Sequence, residues 1–244
     1  MSSTNIMVWD LETVPDFDGY ARANNLVGSP LQEIRAMMGD EFPKLIYHSI
    51  ICIGALVATR TPNGYEVQAV GAPHLGRRTE KELIETFVDK IGRLSPQMVT
   101  FNGSGFDLPV LRYRAMIHRV FAPGMHNRAY FHRYTDDCVD LCDVLASFSY
   151  GGKAKLDELS RIMGLPGKPD GVDGSQVEAY FNAGRIQDIA EYCRSDVINT
   201  YRLWLRHELF RGRLDGAQFD YSEFDVGRFV DHGASNGGQM SATG

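Results

Sequence analysis

No stretch of this sequence reaches the roughly 18 consecutive apolar residues that a membrane-spanning helix requires. Its N-terminus lacks the charged n-region and apolar h-region of a secretory signal. Cysteine is scarce: Cys52, Cys138, Cys142 and Cys193 make no CxxC pair, and the 7 histidines are scattered rather than clustered. A disulfide framework and a structural zinc site therefore find no support, and the thiols read as reduced groups of a cytoplasmic protein. Without export, the Asn102-Gly103-Ser104 sequon has no consequence. Positive charge is also in short supply. The 25 Lys and Arg against 31 Asp and Glu give a net charge of -6 and a pI near 5.6. That balance argues against a general nucleic-acid coating protein, while leaving room for a small basic patch.

With 244 residues, 43% hydrophobic and 11% aromatic, the chain can bury one large core. The expectation is a single α/β domain over residues 1–213, followed by a C-terminal extension, 214–244, whose polar, glycine-rich end reads as flexible. Strand-like runs occur at "IMVWDLE", "SIICIGALVAT", "YEVQAVG" and "QMVTFN". Asn63-Gly64 between the second and third is a hairpin signal, so three antiparallel strands are expected, with the helix "EKELIETFVDKIGRL" crossing to a fourth. In the long excursion over 15–48, "SPLQEIRAMMG" predicts a helix with Ser29 as N-cap and Pro30 at its first position. Beyond the fourth strand the spacing is helical in "LPVLRYRAMIHRV", "DLCDVLASF", "KLDELSRIMGL", "SQVEAYFNAG" and, longest, "IQDIAEYCRSDVINTYRLWLRHELF". "GLPGKPDGVDG" predicts a loop.

Chemistry concentrates in three acidic stretches. Asp10 and Glu12 follow the apolar run Met7-Val8-Trp9, and an ionised carboxylate at the end of a buried strand loses hydration unless a cation replaces the water. Two apart on a strand, both point to one face. Asp107 stands after the Gly103-Ser104-Gly105 turn and just ahead of Pro109, where it could also cap a helix. A dinucleotide-binding reading of those glycines fails, because Leu108 replaces the third and Asp107 would meet a pyrophosphate. Tyr192 and Asp196 are spaced i, i+4 on one helix face, although Tyr192 could equally be a core residue beside a solvated Asp196. Taken together, four carboxylates are what a pair of hard divalent cations needs.

Asp10-Leu11-Glu12-Thr13, Asn102-Gly103-Ser104-Gly105-Phe106-Asp107 and Tyr192-Cys193-Arg194-Ser195-Asp196 resemble, in order, the three motifs of the DEDDy 3′-to-5′ exonucleases. In particular they resemble the proofreading domain of family B DNA polymerases and its stand-alone bacterial relatives. The resemblance runs from about Ile6 to Arg211. It implies a ribonuclease H-like mixed sheet, three antiparallel strands plus parallel ones, flanked by helices. It also implies a metal-dependent exonuclease acting on the 3′ ends of single-stranded nucleic acid, DNA first, with no polymerase in the same chain. Asp10, Glu12, Asp107 and Asp196 would hold two Mg²⁺ or Mn²⁺ ions, about 3.5 to 4 Å apart in such sites. Tyr192 would orient the attacking water, and Leu11, Thr13, Asn102 and Phe106 would contact the terminal nucleotides. Arg112, Arg114, Lys153, Lys155 and Lys168 are candidates for a phosphate track. An exoribonuclease acting on small RNAs, or a catalytically silent binding module of the same fold, stays compatible with these motifs.

Overall fold

The computed structural model describes residues 5–166 and 174–237. Strands β1 (Asn5–Pro15), β2 (His48–Thr61), β3 (Gly64–Gly71), β4 (Gln97–Thr100) and β5 (Cys138–Asp140) form one sheet in the order β3-β2-β1-β4-β5. β2 is antiparallel to β1 and to β3, whereas β4 runs parallel to β1 and β5 parallel to β4. This is the expected ribonuclease H-like mixed sheet. The hairpin joining β2 to β3 turns through Pro62-Asn63, between the paired Thr61 and Gly64.

Helices α1 (Phe17–Ala23) and α2 (Leu31–Met38) fill the excursion between β1 and β2, and Pro30 is the N-cap of α2 rather than its first residue. α3 (Glu80–Leu94) makes the crossover to β4, opened by a reciprocal capping box between Thr79 and Glu82. α4 (Asp107–Ile117) follows β4. α5 (Leu141–Leu145), α6 (Leu156–Ile162) and α7 (Val177–Asn182) are short, and α8 (Ile186–Phe210) spans its whole expected stretch. The glycine- and proline-rich loop is described only at its ends: residues 167–173, with Lys168, lie outside the described residues.

β1 is covered on both faces, which explains its unbroken apolar run. Ile6 and Val8 pack with Val197, Tyr201 and Trp204 of α8. Met7, Trp9 and Leu11 pack with Leu83, Ile84 and Phe87 of α3 and Leu108 and Leu111 of α4. The strand's period of two therefore carries Asp10 and Glu12 to the α8 face. α8 lies close to the sheet because β2 has no side chain at Gly54. A Cβ there would stand 2.7 Å from the Cys193 sulfur and 2.9 Å from a Val197 methyl.

Two further features depart from the sequence-based expectation. β5 was not expected from the sequence, whose helical spacing was read from Asp140, the last residue of this strand. It pairs only Cys138, Val139 and Asp140 with β4 before α5 begins. Arg114 is no surface cation: it is buried, donates to Asp16 and reaches Glu80 Oε1 at 2.7 Å, while His118 sits 2.7 Å from Glu80 Oε2 and the Ile50 N–H donates to Glu80 Oε1 at 2.6 Å. That network pins α1, α3, α4 and β2 together, so Arg114 has no place in a phosphate track.

At the other edge, α9 (Gly216–Gly237) lies along β3. Ser222 Oγ accepts the Tyr65 N–H at 2.8 Å and Asp225 Oδ2 accepts the Val67 N–H at 2.7 Å, so donors of the edge strand are satisfied by side chains of a helix. Residues 238–244 lie outside the described residues. Among the described residues no helix is long and apolar enough to cross a membrane.

Candidate active site

The pairing of β1 with β2 slips one residue after Glu12, which faces Cys52, whereas Thr13 faces Ile50. Such a bulge re-aims a strand end. Here it lies beside the two acids. Ligand atoms of Asp10, Glu12 and Cys193 fall within 4.8 Å of one another, in the one such group of His, Cys, Asp and Glu among the described residues. Asp107 and Asp196 lie outside that group. The Cys193 sulfur is 3.8 Å from the Asp10 carbonyl oxygen and 3.9 Å from Asp10 Oδ2. Its contact with Cys52, its burial and the nearby charges of Asp10 and Glu12 push its pKa well up, which disfavours the thiolate that metal ligation needs.

Asp107 opens α4, but the N-cap is Phe106 and the carboxylate makes no cap. Its Oδ1 instead accepts the N–H of Leu11 at 3.1 Å, which ties the start of α4 to β1 between the two acids. Burial, aided by the charge of Asp140 and opposed by the Leu11 amide, pushes the Asp107 carboxyl up to about 7. A cation beside it would hold it ionised.

From α8 come Tyr192 and Asp196, both buried, so Asp196 is not the solvated residue that the alternative reading required. The phenol shares a hydrogen bond with Asp196. Burial first, then the charges of Asp196, Glu12 and Asp10, push its pKa up, and the hydroxyl stays neutral at any physiological pH.

The turn after β4 is held from below. Asp140, at the end of β5, accepts the N–H of Asn102 at 2.7 Å and of Ser104 at 2.9 Å. Gly103 packs so tightly on this turn that a Cβ would stand 2.5 Å from the Thr100 side chain. Asp140 was not singled out from the sequence, where its only signal was that of a helix N-cap, a role it also fills for Cys142.

A cleft of about 900 Å³ opens at Glu12, the one of the four acids that lines it, together with Thr13, Asn102 and Phe106 and residues of the segments 38–43 and 174–178. Leu11 also lines it, although its side chain is largely buried in the core. Three rings meet there: Phe42 lies 5.0 Å from His48 and 5.7 Å from Phe106, and His48 is edge-on to Phe106 at 5.1 Å. Burial lowers the pKa of His48. Its Nε2 faces the Pro43 carbonyl at 3.2 Å, which can only accept, so the neutral ring carries its proton there and Nδ1 accepts from the Thr13 hydroxyl at 3.0 Å. Phe42 and His48 escaped the sequence reading because an irregular segment and a strand start carry them.

The donor set is carboxylate oxygen beside a thiol whose thiolate is disfavoured, with no second thiol or imidazole in the group. Oxygen donors of this kind suit Mg²⁺ or Mn²⁺ rather than zinc.

Residues 40–241 match the model of a family described as a predicted 3′-5′ exonuclease related to the exonuclease domain of PolB. The match takes in Asn102–Asp107 and Tyr192–Asp196 and leaves Asp10 and Glu12 outside it. Among solved structures, a family B DNA polymerase from the hyperthermophilic archaeon Pyrobaculum calidifontis is 18% identical at a TM-score of 0.56, over 85% of this chain and 24% of the polymerase. Exonuclease I of E. coli, solved in complex with a dT13 oligonucleotide, is 14% identical at a TM-score of 0.44, over 90% of this chain and 43% of that one. The chain thus spans about a quarter of the polymerase (24%) and less than half of the exonuclease (43%), and the first likeness is one of fold. No curated protein matched.

Proposed function

This chain belongs to the family of predicted 3′-5′ exonucleases related to the exonuclease domain of PolB, and from that premise we propose that it removes nucleotides from the 3′ end of single-stranded nucleic acid, DNA in the first instance, by divalent-ion-dependent hydrolysis. The observation that carries the reading is the convergence of Asp10 and Glu12, with ligand atoms within 4.8 Å of one another, where Glu12 lines a cleft of about 900 Å³.

Asp10, Glu12, Asp107 and Asp196 would hold the two ions. When bound, these supply Lewis-acid stabilisation of the phosphodiester and lower the pKa of the attacking water. The neutral phenol of Tyr192, fixed by Asp196, positions that water by hydrogen bonding and is too weak an acid to serve as phenolate. Asn102 and Thr13 present polar groups to the terminal sugar and phosphate, with Thr13 held by His48. Leu11 closes the cleft beneath, and Phe106, backed by Phe42 and His48, offers a ring face to the terminal base. Residues 1–213 form the catalytic domain in this reading, and the extension from 214 covers the free edge of its sheet.

The test is a single-stranded oligonucleotide labelled at its 5′ end, presented as DNA and as RNA with Mg²⁺ or Mn²⁺. The expected product is a ladder receding from the 3′ end, abolished by a chelator and by blocking that end. Comparable cleavage of a circular strand would overturn the polarity. Faster RNA digestion would reverse the substrate preference.

A further inference from the structure

We infer that the basic depression on the far side of the Asn102–Gly105 turn binds the phosphates and bases of the single strand upstream of the scissile bond. The inference rests on the exonuclease reading and assigns the course of the strand away from the acids. The depression, about 330 Å³, is lined by Arg112, His132, Arg133 and Lys153 and by Asn102 and Gly105. The last two also line the acidic cleft, so the two hollows meet over this one turn.

In a chain of net charge -6, three cations here face one carboxylate, Asp143. Asp143 is only 2% exposed; it takes Arg133 at both oxygens, at 2.7 and 2.8 Å, and Lys153 at 2.8 Å. The two cations are thereby pre-positioned while their outer faces stay accessible. The guanidinium of Arg112 lies over the Phe131 ring at 5.0 Å, and no carboxylate pairs with it among the described residues. Asp140, three residues before Asp143, holds the amides of the turn itself. One short segment, β5 and the start of α5, therefore fixes both the turn and the cations.

Aromatic surface continues the track. Tyr134 is 75% exposed and meets Phe148 edge-on at 4.9 Å, and Arg133 stands 6.0 Å over the Phe148 ring. Phe148 and Ser147 both hold left-handed backbone conformations, at φ 59° and 51°, with the Phe148 N–H bonded to the Asp143 carbonyl at 2.7 Å. Exposed rings interleaved with cations suit a strand that offers alternate bases and phosphates. The bland alternative is an ion cluster that only fastens the loop before β5 onto α5. It predicts no dependence on substrate length.

The experiment compares kcat/KM on oligonucleotides from a dinucleotide up to about 12 nucleotides, within the range of typical single-strand sites, for the wild type and for Arg112→Ala and Tyr134→Ala. In parallel, a 3′-blocked fluorescent oligonucleotide is titrated without divalent ions over a range of salt. For the wild type, efficiency should climb with length to a plateau. In each variant the ratio of long to dinucleotide efficiency should fall roughly tenfold, as expected for one lost stack or phosphate contact. The salt slope of binding should shrink by about one for Arg112→Ala and stay unchanged for Tyr134→Ala. A ratio unaltered in both variants, or wild-type efficiency independent of length, overturns the inference. A wild type that hydrolyses nothing refutes the exonuclease reading, and the binding titration then decides this one alone.

Discussion

One helix serves two sets of acids in opposite ways. α4 begins with Asp107 in the acidic site, and seven residues on, two turns along the same face, it carries Arg114. Around Arg114 the carboxylates of Asp16 and Glu80 lie on a guanidinium, and Glu80 also holds His118 and a backbone amide. Around Asp107 the neighbouring charges have the same sign. Burial is the main cause that pushes Asp107 and Tyr192 up, and the charge of Asp140 adds to it at the first and those of Asp196, Glu12 and Asp10 at the second. The fold supplies its own counter-charge where acids hold elements together and leaves a negative field where cations from outside would complete the set. Function and stability should therefore respond in opposite directions to removing charge from the two clusters.

The largest effect tests the acidic half. Asp10→Ala or Asp196→Ala should reduce nuclease turnover by about 10⁴-fold or more, since a lost ion forfeits several kcal/mol of transition-state charge stabilisation. The thermal midpoint should stay level or rise, because a like charge has been removed. A midpoint that collapses along with the activity would show that these acids, too, hold the fold and would break the comparison. Next comes Tyr192→Phe, expected to slow turnover by about 10² to 10⁴ while leaving Mn²⁺ affinity intact. Unchanged turnover would return Tyr192 to a packing role, and lost metal affinity would make it part of the ion site.

The paired cluster is tested by Arg114→Met, which leaves the buried Asp16 and the half-buried Glu80 without their guanidinium. Stability in urea should fall by about 3 to 5 kcal/mol, the usual result of breaking a buried ion pair from one side. Adding Glu80→Gln should recover part of the loss. A strictly additive double variant would mean that the two groups do not interact.

This contrast also explains what the sequence disclosed. The four acids and Tyr192 stood out as candidates because each sits in a local pattern: two on one strand face, one after a glycine turn, two a helical turn apart. α8 was legible because 25 residues carry many turns of period 3.6. Arg114 was misread as a surface cation, since its partners lie 98 and 34 residues away and nothing local distinguishes a buried arginine from an exposed one. β5 has three residues, too few to show an alternation, and its last, Asp140, also opens the helical spacing that follows. Asp140 and Asp143 act on groups as far as 38 residues away, so their roles had no signature either.

The smallest effect asks whether Asp143, beside a hollow that faces solvent, belongs to the paired class. Hydrogen bonding to Arg133 outweighs the opposing effect of burial and holds its carboxyl below the ordinary carboxylate value, and Lys153 adds to the lowering. The folded state therefore binds its proton less readily than the unfolded chain does. The stabilisation is complete above the unfolded value of about 3.9 and is lost as pH falls through the lower folded value. Asp143→Asn keeps the shape and part of the hydrogen bonding but removes the charge, and at neutral pH it should cost about 1 kcal/mol. Urea unfolding of both proteins between neutral pH and pH 3 gives that difference directly. It should be constant down to about pH 5 and then shrink with acid. A difference that grows on acidification would mean that the Asp143 carboxyl is pushed up, like that of Asp107, and would move it into the class of acids that the fold leaves uncompensated.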